Sequence, residues 1–218
     1  MKPNPITSTE LWLAEIALFA AILMQISVGY IGPGFLLVPH YPTIVVEVAL
    51  AVIIGIGAKR RHLGKAVLHG PLTFLLLALL SAANIISFVL VALSLITSSL
   101  SFTGPEVLIS ALAIFLTNII VFAFWYWEID SPGLSGHRWS KQDMDFLFTQ
   151  QEPGTNYPEW RSSFIDYLYI SVTNAINFAP ADTRPLTHKA KALMALQALI
   201  SVFTLALVLA RSVSILGQ

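Results

Sequence analysis

The sequence contains no cysteine, and only 11% of its 218 residues are charged. Without cysteine the chain has no disulfide, no thiolate metal ligand and no cysteine nucleophile, and the redox state of its compartment leaves no trace in the sequence. The 12 basic residues equal the 12 acidic ones, so the formal net charge is zero. Because nucleic-acid binding depends on an excess of basic residues, we expect no nucleic-acid partner.

Common catalytic motifs are also missing. The chain has no glycine-rich phosphate loop, no nucleophile elbow and no HExxH pair. Its histidines lie in polar loops or at the ends of apolar runs, so none is paired across helices as haem ligation requires. We therefore expect no enzyme, no cofactor, and no catalytic, cofactor-binding or metal site. The five histidines are His40, His62, His69, His137 and His188.

Long apolar runs are what the chain has in abundance. Hydrophobic residues make up 56% of it and the mean hydropathy is +0.75, which is typical of a multi-pass membrane protein. Five runs are long enough, at about 1.5 Å per residue, to cross a hydrocarbon core of about 30 Å. They are Leu11–Tyr30, Tyr41–Ala58, Leu72–Thr97, Pro105–Trp127 and Ala190–Leu216.

A sixth segment, Ser163–Phe178, is shorter and more polar than these runs. As a helix it would measure about 24 Å, and it contains Asp166, Ser171 and Asn174. Lipid does not tolerate such a face, whereas protein at membrane depth does. We predict an all-α membrane protein with five transmembrane helices plus one re-entrant half-helix before the last span. The alternative is that this segment crosses fully as a sixth span.

The runs divide the chain into three regions. Residues 1–127 form a four-helix membrane region, residues 128–162 a polar loop in water, and residues 163–218 the half-helix with the last span. Positive charge marks the cytoplasmic side of short loops. Lys59, Arg60, Arg61 and Lys65 follow the second run, so we expect the 128–162 loop and the entrance of the half-helix on the cytoplasmic side as well.

The half-helix and its continuation carry a known pattern in altered form. Tyr169, Ser171, Asp182, Pro185 and Thr187 match without a gap the pore helix, the filter-closing aspartate and the following loop of potassium channels. Residues 164–216 thus resemble a potassium-channel pore loop and inner helix, and the whole chain is similar to bacterial multi-pass membrane proteins. The resemblance implies a homotetrameric pore module in a bacterial plasma membrane, with the lipid bilayer and inorganic ions as partners.

The filter positions themselves differ from the potassium-channel pattern. The residues there are Asn177, Phe178, Ala179, Pro180, Ala181 and Asp182, so alanine replaces both glycines and proline replaces the tyrosine. A potassium filter aims backbone carbonyls at the ion, and its glycines adopt a left-handed backbone that costs alanine about 1–2 kcal/mol. Proline also removes an N–H. We therefore expect a pore that does not select potassium.

Two functions from different classes remain open. Asn174 and Asn177 share one face of the half-helix, and with residues 178–182 they form the candidate pore lining, where a ring of subunits would coordinate an ion. This predicts an oligomeric, ion-channel-like protein with an atypical filter. Alternatively the asparagines cap the half-helix and bond to neighbouring spans, and the chain is a non-conducting membrane scaffold or sensor with a vestigial pore loop.

Polar residues inside the runs also permit two interpretations. Glu15 and Glu47 are costly at membrane depth, which suggests a pathway or a pairing, but both are near enough to a run's end for an interfacial position. Asn84 and Asn118 lie deeper and are interpreted as hydrogen-bonding links between helices.

The aromatic cluster Phe124–Trp127 ends the fourth run. We interpret it as a belt at the membrane interface, with Glu128 and Asp130 just beyond it in water.

Overall fold

The computed structural model describes residues 7–31, 40–62, 70–96, 103–131, 133–134, 144–152, 154, 157, 160–177 and 182–216. This part of the chain is mostly helical, with two short strands and one 3-10 turn at Thr149–Gln151. The elements in chain order are α1 (Ser8–Ile31), α2 (His40–His62), α3 (Gly70–Ile96), α4 (Gly104–Asp130), β1 (Phe146–Phe148), α5 (Phe164–Asn177), β2 (Thr183–Pro185) and α6 (His188–Leu216).

Four of the described helices, α1, α3, α4 and α6, are long and apolar enough to cross a membrane. They indicate a multi-pass membrane protein. Every apolar run predicted as a span coincides with a helix to within a few residues at each end, including the shorter α2. The segment predicted as a half-helix forms the 14-residue α5.

Helix α4 lies at the centre of the bundle and packs against α1, α3, α5 and α6. Within its most apolar stretch 67% of the residues are buried, against 22% to 39% in the other three candidate spans. Pro105 lies in the first turn of the helix, and the carboxylate of Glu106 accepts a hydrogen bond of 2.7 Å from the backbone N–H of Thr103. Proline and a back-bonding acidic residue are both favourable in the first turn of a helix.

The aromatic end of α4 lies inside the protein, so the interpretation as an interfacial belt is wrong for most of it. Phe124, Tyr126 and Trp127 are at most 2% exposed. The ring of Phe164, at the start of α5, lies 4.7 Å from Phe124 and 5.2 Å from Trp127 between centroids, and Phe146 of β1 lies 5.2 Å from Tyr126. The loop and α5 thus cover the aromatic cluster.

Glu128 and Asp130 are buried as well and do not lie in water. Asp130 accepts hydrogen bonds from the backbone N–H groups of Asp145 and Phe146, at 2.5 and 3.0 Å. A buried carboxylate is stable only where such donors replace water. The described part of the 128–162 loop therefore folds back onto the end of α4.

Strands β1 and β2 form an antiparallel pair that the all-α prediction did not include. Phe146 faces Pro185, Leu147 faces Arg184, and Phe148 faces Thr183. Each strand has three residues, which is too short for an alternating pattern to be recognised in a sequence. The ribbon joins the loop to the segment that follows the filter positions.

Helices α1, α2 and α3 form the other side of the bundle. The side-chain amide of Gln25 on α1 donates a hydrogen bond of 2.8 Å to the backbone oxygen of Leu80 on α3. Between α1 and α2 lies a largely apolar cavity of about 260 Å³, with Glu15, Gly55, Lys59 and Leu134 among its lining residues.

Gly133 provides a stringent test of the loop position. Its φ is +40°, and a Cβ atom there would lie 2.3 Å from Oε1 of the buried Glu128. We expect Gly133→Ala to lower the free energy of unfolding by about 1–3 kcal/mol through overpacking, in addition to about 1–2 kcal/mol for the backbone.

Gly154→Ala is the matched control, because Gly154 also has a positive φ, +93°, but no atom of the described residues beyond its chain neighbours lies within 4 Å of its added Cβ. Melting curves in detergent should show a clearly larger loss for Gly133→Ala. Equal losses would contradict the packing of the loop against Glu128.

Candidate functional site

Helix α5 begins with a side-chain cap and a contact to α1. The backbone N–H and the hydroxyl of Ser163 both donate to Oδ2 of Asp166 at 2.7 Å. The backbone N–H of Phe164 donates to Oε1 of Glu10 at 3.0 Å. These acceptors satisfy N–H groups that a helix leaves open at its start, and the acidic side chains suit the positive end of the helix dipole.

Helix α5 buries two polar residues and exposes several apolar ones, unlike a typical helix of a water-soluble protein. Its polar residues Ser171 and Asn174 are buried, while Ile165, Tyr169 and Ile176 are each more than half exposed. In a membrane protein the bundle interior holds the polar groups and apolar side chains face lipid or another subunit. The buried positions recur at helical spacing: Phe164, Tyr167, Ile170, Ser171, Asn174 and Ala175.

Gln197 of α6 is the centre of a hydrogen-bond network that holds α5. Its Oε1 accepts from the hydroxyl of Tyr126 at 2.5 Å and from the amide of Asn174 at 2.8 Å. Its Nε2 donates to the backbone oxygen and the hydroxyl oxygen of Ser171, at 3.0 and 2.7 Å. One side chain thus links α4, α5 and α6.

Neighbouring groups extend this network. The hydroxyl of Ser171 donates to the backbone oxygen of Ile119 at 2.6 Å. Asn118 donates to Ser201 at 3.1 Å, a link between α4 and α6 of the kind predicted for this asparagine. In membranes such bonds average about 0.6 kcal/mol and reach about 1.7 kcal/mol each. Their number at this junction therefore matters more than any single bond.

Asn174, a candidate pore residue, donates its amide hydrogens to acceptors within its own chain. Besides Gln197, the amide nitrogen lies 3.0 Å from the backbone oxygen of Met194 and 3.3 Å from the Tyr126 hydroxyl. Asn177 is the last residue of α5, and its side chain and residues 178–181 lie outside the described residues. Their role as a pore lining stays a prediction.

Asp182, the filter-closing aspartate of the resemblance, is exposed. Its carboxylate accepts a hydrogen bond of 3.1 Å from the hydroxyl of Tyr169. This bond and the charge of Asp182 raise the pKa of Tyr169 above its ordinary value. The contact brings the residues after the filter positions beside the first half of α5.

The other residues matched to potassium channels have structural partners. Pro185 of β2 pairs with Phe146 of β1. The hydroxyl of Thr187 donates to Oδ1 of Asp145 and accepts from the backbone N–H of Ala190 at 3.2 Å, so it caps α6.

A second polar cluster, not predicted from the sequence, secures the start of α5. The hydroxyl of Tyr167 donates to Oδ2 of Asp130 at 2.5 Å and lies 2.7 Å from the hydroxyl of Ser162. Burial, followed by the charge of Asp130, raises the pKa of Tyr167 well above its ordinary value, so the phenol stays a neutral donor. Tyr167 and Asp130 thereby join α5 to α4.

Gln197 was missed although the sequence contains a signal for it. Gln197, Ser201 and Thr204 recur at i, i+4 and i+7 within the last apolar run, which places three polar side chains on one face of α6. Asp130 and Tyr167 offered no comparable signal, because their contact depends on the course of the loop.

Comparisons of the chain with models of known protein families, with curated proteins and with solved structures find no match. The site is therefore interpreted from its own contacts.

The link between α5 and α6 can be measured with a double-mutant cycle. Asn174→Leu and Gln197→Leu should each lower the free energy of unfolding by about 1–3 kcal/mol, because each leaves a buried partner unsatisfied. Combined, they should cost less than the sum of the two, with a coupling of about 0.5–3 kcal/mol.

Thr173→Val serves as the control, since the partners of the Thr173 hydroxyl among the described residues are backbone oxygens of α5 itself. This substitution should change the free energy of unfolding only slightly. Strict additivity of the Asn174 and Gln197 variants would show that these side chains do not act together.

Proposed function

We propose that this chain is a non-conducting membrane scaffold that crosses the bilayer five times and retains a pore loop as a packing element. In this arrangement α1, α2, α3, α4 and α6 are the spans, and α5 is a re-entrant helix. The proposal places the protein in a bacterial plasma membrane with the 59–65 loop on the cytoplasmic side.

Contacts at both ends of α5 support its re-entrant course. Its first residue, Phe164, packs on Trp127 at the end of α4, and β2, which follows it, pairs with β1 beside Asp130. From Tyr169 to Asn177 the helix rises about 12 Å. The five residues from 178 to 182 reach up to about 17 Å when extended, which is enough to return to Tyr169.

Helix α2 is the fifth span of this proposal. It has 23 residues, or about 35 Å, and it packs between α1 and α3. Because α1 and α3 are both candidate spans, an α2 that crosses between them connects their opposite ends. Four basic residues at or after its end fit the cytoplasmic side.

The main observation in support of the scaffold proposal is the hydrogen-bond network around Gln197. A pore lining needs polar groups that face a hydrated axis. The polar groups of α5 that the structure describes in the bundle, Ser171 and Asn174, are instead buried and bonded to α4 and α6 of the same chain. In this proposal the polar side chains of α5 hold the helix against α4 and α6 within one subunit.

A channel with an atypical filter is the second candidate, and two observations favour it. Asp182 is exposed, so its carboxylate is available to ions. The outer faces of α5 and α6 are apolar and, within a single chain, exposed at Ile176, Leu199 and Phe203. A homotetramer would cover these faces and bring four copies of residues 177–182 to one axis.

Ion flux and stability measured on the same preparations separate the two candidates. In proteoliposomes we expect potassium, sodium and chloride flux equal to that of empty vesicles, with gramicidin as a positive control for cation flux. Asn174→Leu should lower the melting temperature and leave flux at background. Asp182→Asn should change neither, because its carboxylate is exposed.

Flux through the wild-type protein that Asp182→Asn alters, with unchanged oligomer size in native mass spectrometry and unchanged melting temperature, would establish the channel and contradict the scaffold. A potassium-to-sodium permeability ratio above about ten would in addition contradict the glycine argument.

A further inference from the structure

Glu47 is a carboxyl group buried in the part of the bundle that does not contain α5. It lies on α2 and is 2% exposed, on the same face as Ala51 and Ile54 of the apolar core. Its Oε1 has no hydrogen-bond partner among the described residues. The carboxyl group of Glu47 is therefore shielded from water by the protein itself. An ionised carboxylate in such surroundings costs several kcal/mol.

Gln25 on α1 has a matching acceptor. Its amide nitrogen donates to the backbone oxygen of Leu80, which fixes the orientation of the amide group. Its Oε1 is buried and likewise lacks a partner in the described part of the chain. An amide oxygen can only accept, so it needs a donor that the described residues do not supply.

The register of α1 and α2 brings Glu47 and Gln25 to similar depths along the two helices. Oε1 of Glu15 lies 3.1 Å from the Cβ position of Gly55, which aligns the antiparallel helices at that level. Glu47 lies eight residues from Gly55, about 12 Å, and Gln25 lies ten residues from Glu15, about 15 Å in the same direction. Helical side chains lean toward the N-terminus, so these two lean toward each other.

Helix α3 adds a third polar residue to this layer. Leu80 lies 2.8 Å from the Gln25 amide, and Asn84, one turn further along α3, is 3% exposed. Gln25, Glu47 and Asn84, the polar residues of this layer, thus lie on three helices, α1, α2 and α3, that pack against one another.

No described cation faces this layer. The described part of α3 contains no titratable residue. On α1, Glu10 contacts Phe164, Glu15 lies at Gly55, and Tyr30 is 69% exposed. On α2 itself, Lys59 is twelve residues away, about 18 Å, and His40 is seven residues away, about 10 Å.

We propose that Glu47 and Gln25 form a proton-binding site inside the membrane. The proton resides on Oε1 of Glu47 and is donated to Oε1 of Gln25, so one proton satisfies both oxygens. Ionisable groups within membrane segments commonly mark proton and ion sites. Loss of the proton leaves a charge beside two acceptors, and the α1–α3 layer must then open or rearrange. This gives the α1–α3 half a proton-linked function independent of the α5 loop.

Infrared spectroscopy of the protein in lipid tests the site. At neutral pH the wild-type protein should show the C=O stretch of a protonated carboxylic acid, above the amide I band, and Glu47→Gln should remove it. Glu15→Gln, a change in the half-buried carboxylate at the α1–α2 cavity, is the matched control and should leave the band in place. Glu47→Gln should keep the melting temperature, because the new amide donates to Gln25.

Gln25→Leu provides a second, independent readout, since removal of the acceptor should move the band to higher frequency. It decides the question even if Glu47→Gln does not fold. A wild-type spectrum without the band, or a band unaffected by both variants, would overturn the proposal. Added sodium that erases the band at constant pH would also overturn it, because the site would then bind sodium in place of a proton.

Discussion

The position of α5 depends on a buried polar junction centred on Gln197, whose amide bonds at once to Tyr126 of α4 and to Ser171 and Asn174 of α5. Inside a bilayer the hydrophobic effect does little to join one apolar helix to another, because lipid is an equally good environment. Polar groups do favour association of the helices, because lipid offers them no hydrogen-bond partner whereas the helix bundle does. The burial of Ser171 and Asn174 and the exposure of Ile165 and Ile176 on α5 follow from this difference.

The far end of the same helix is secured by the folded loop. Asp130 accepts from the backbone of Asp145 and Phe146 and from the Tyr167 hydroxyl, and Thr187 bonds to Asp145 at the start of α6. A carboxylate at the end of a span is thereby satisfied without water. The loop, α5 and α6 form one unit, so the segment in which the sequence predicted a pore loop is integrated into the fold of a single chain.

The sequence predicted the helices well and the contacts poorly, for a physical reason. Apolar run length determined the positions of α1, α2, α3, α4 and α6, because a bilayer sets the length of a span, whereas α5 was recognised by its shortness and its polar residues. The burial of Glu128 and Asp130, the β1–β2 pair and the covered aromatic end of α4 depend on where the loop folds, which no local pattern encodes. At the site, the sequence identified Asn174 as important but not its partner Gln197. Glu47 is buried in the protein, whereas the sequence alone was equally compatible with a position at the membrane interface.

The measurement that tests the course of α5 most directly is sided labelling of single cysteines, for which the cysteine-free chain is suited. Arg161→Cys and Arg184→Cys flank α5 at exposed positions, and Lys59→Cys marks the end of α2. A membrane-impermeant maleimide should label all three from the same side of oriented vesicles. Labelling of positions 161 and 184 from opposite sides would show that α5 crosses the membrane, which would contradict the account.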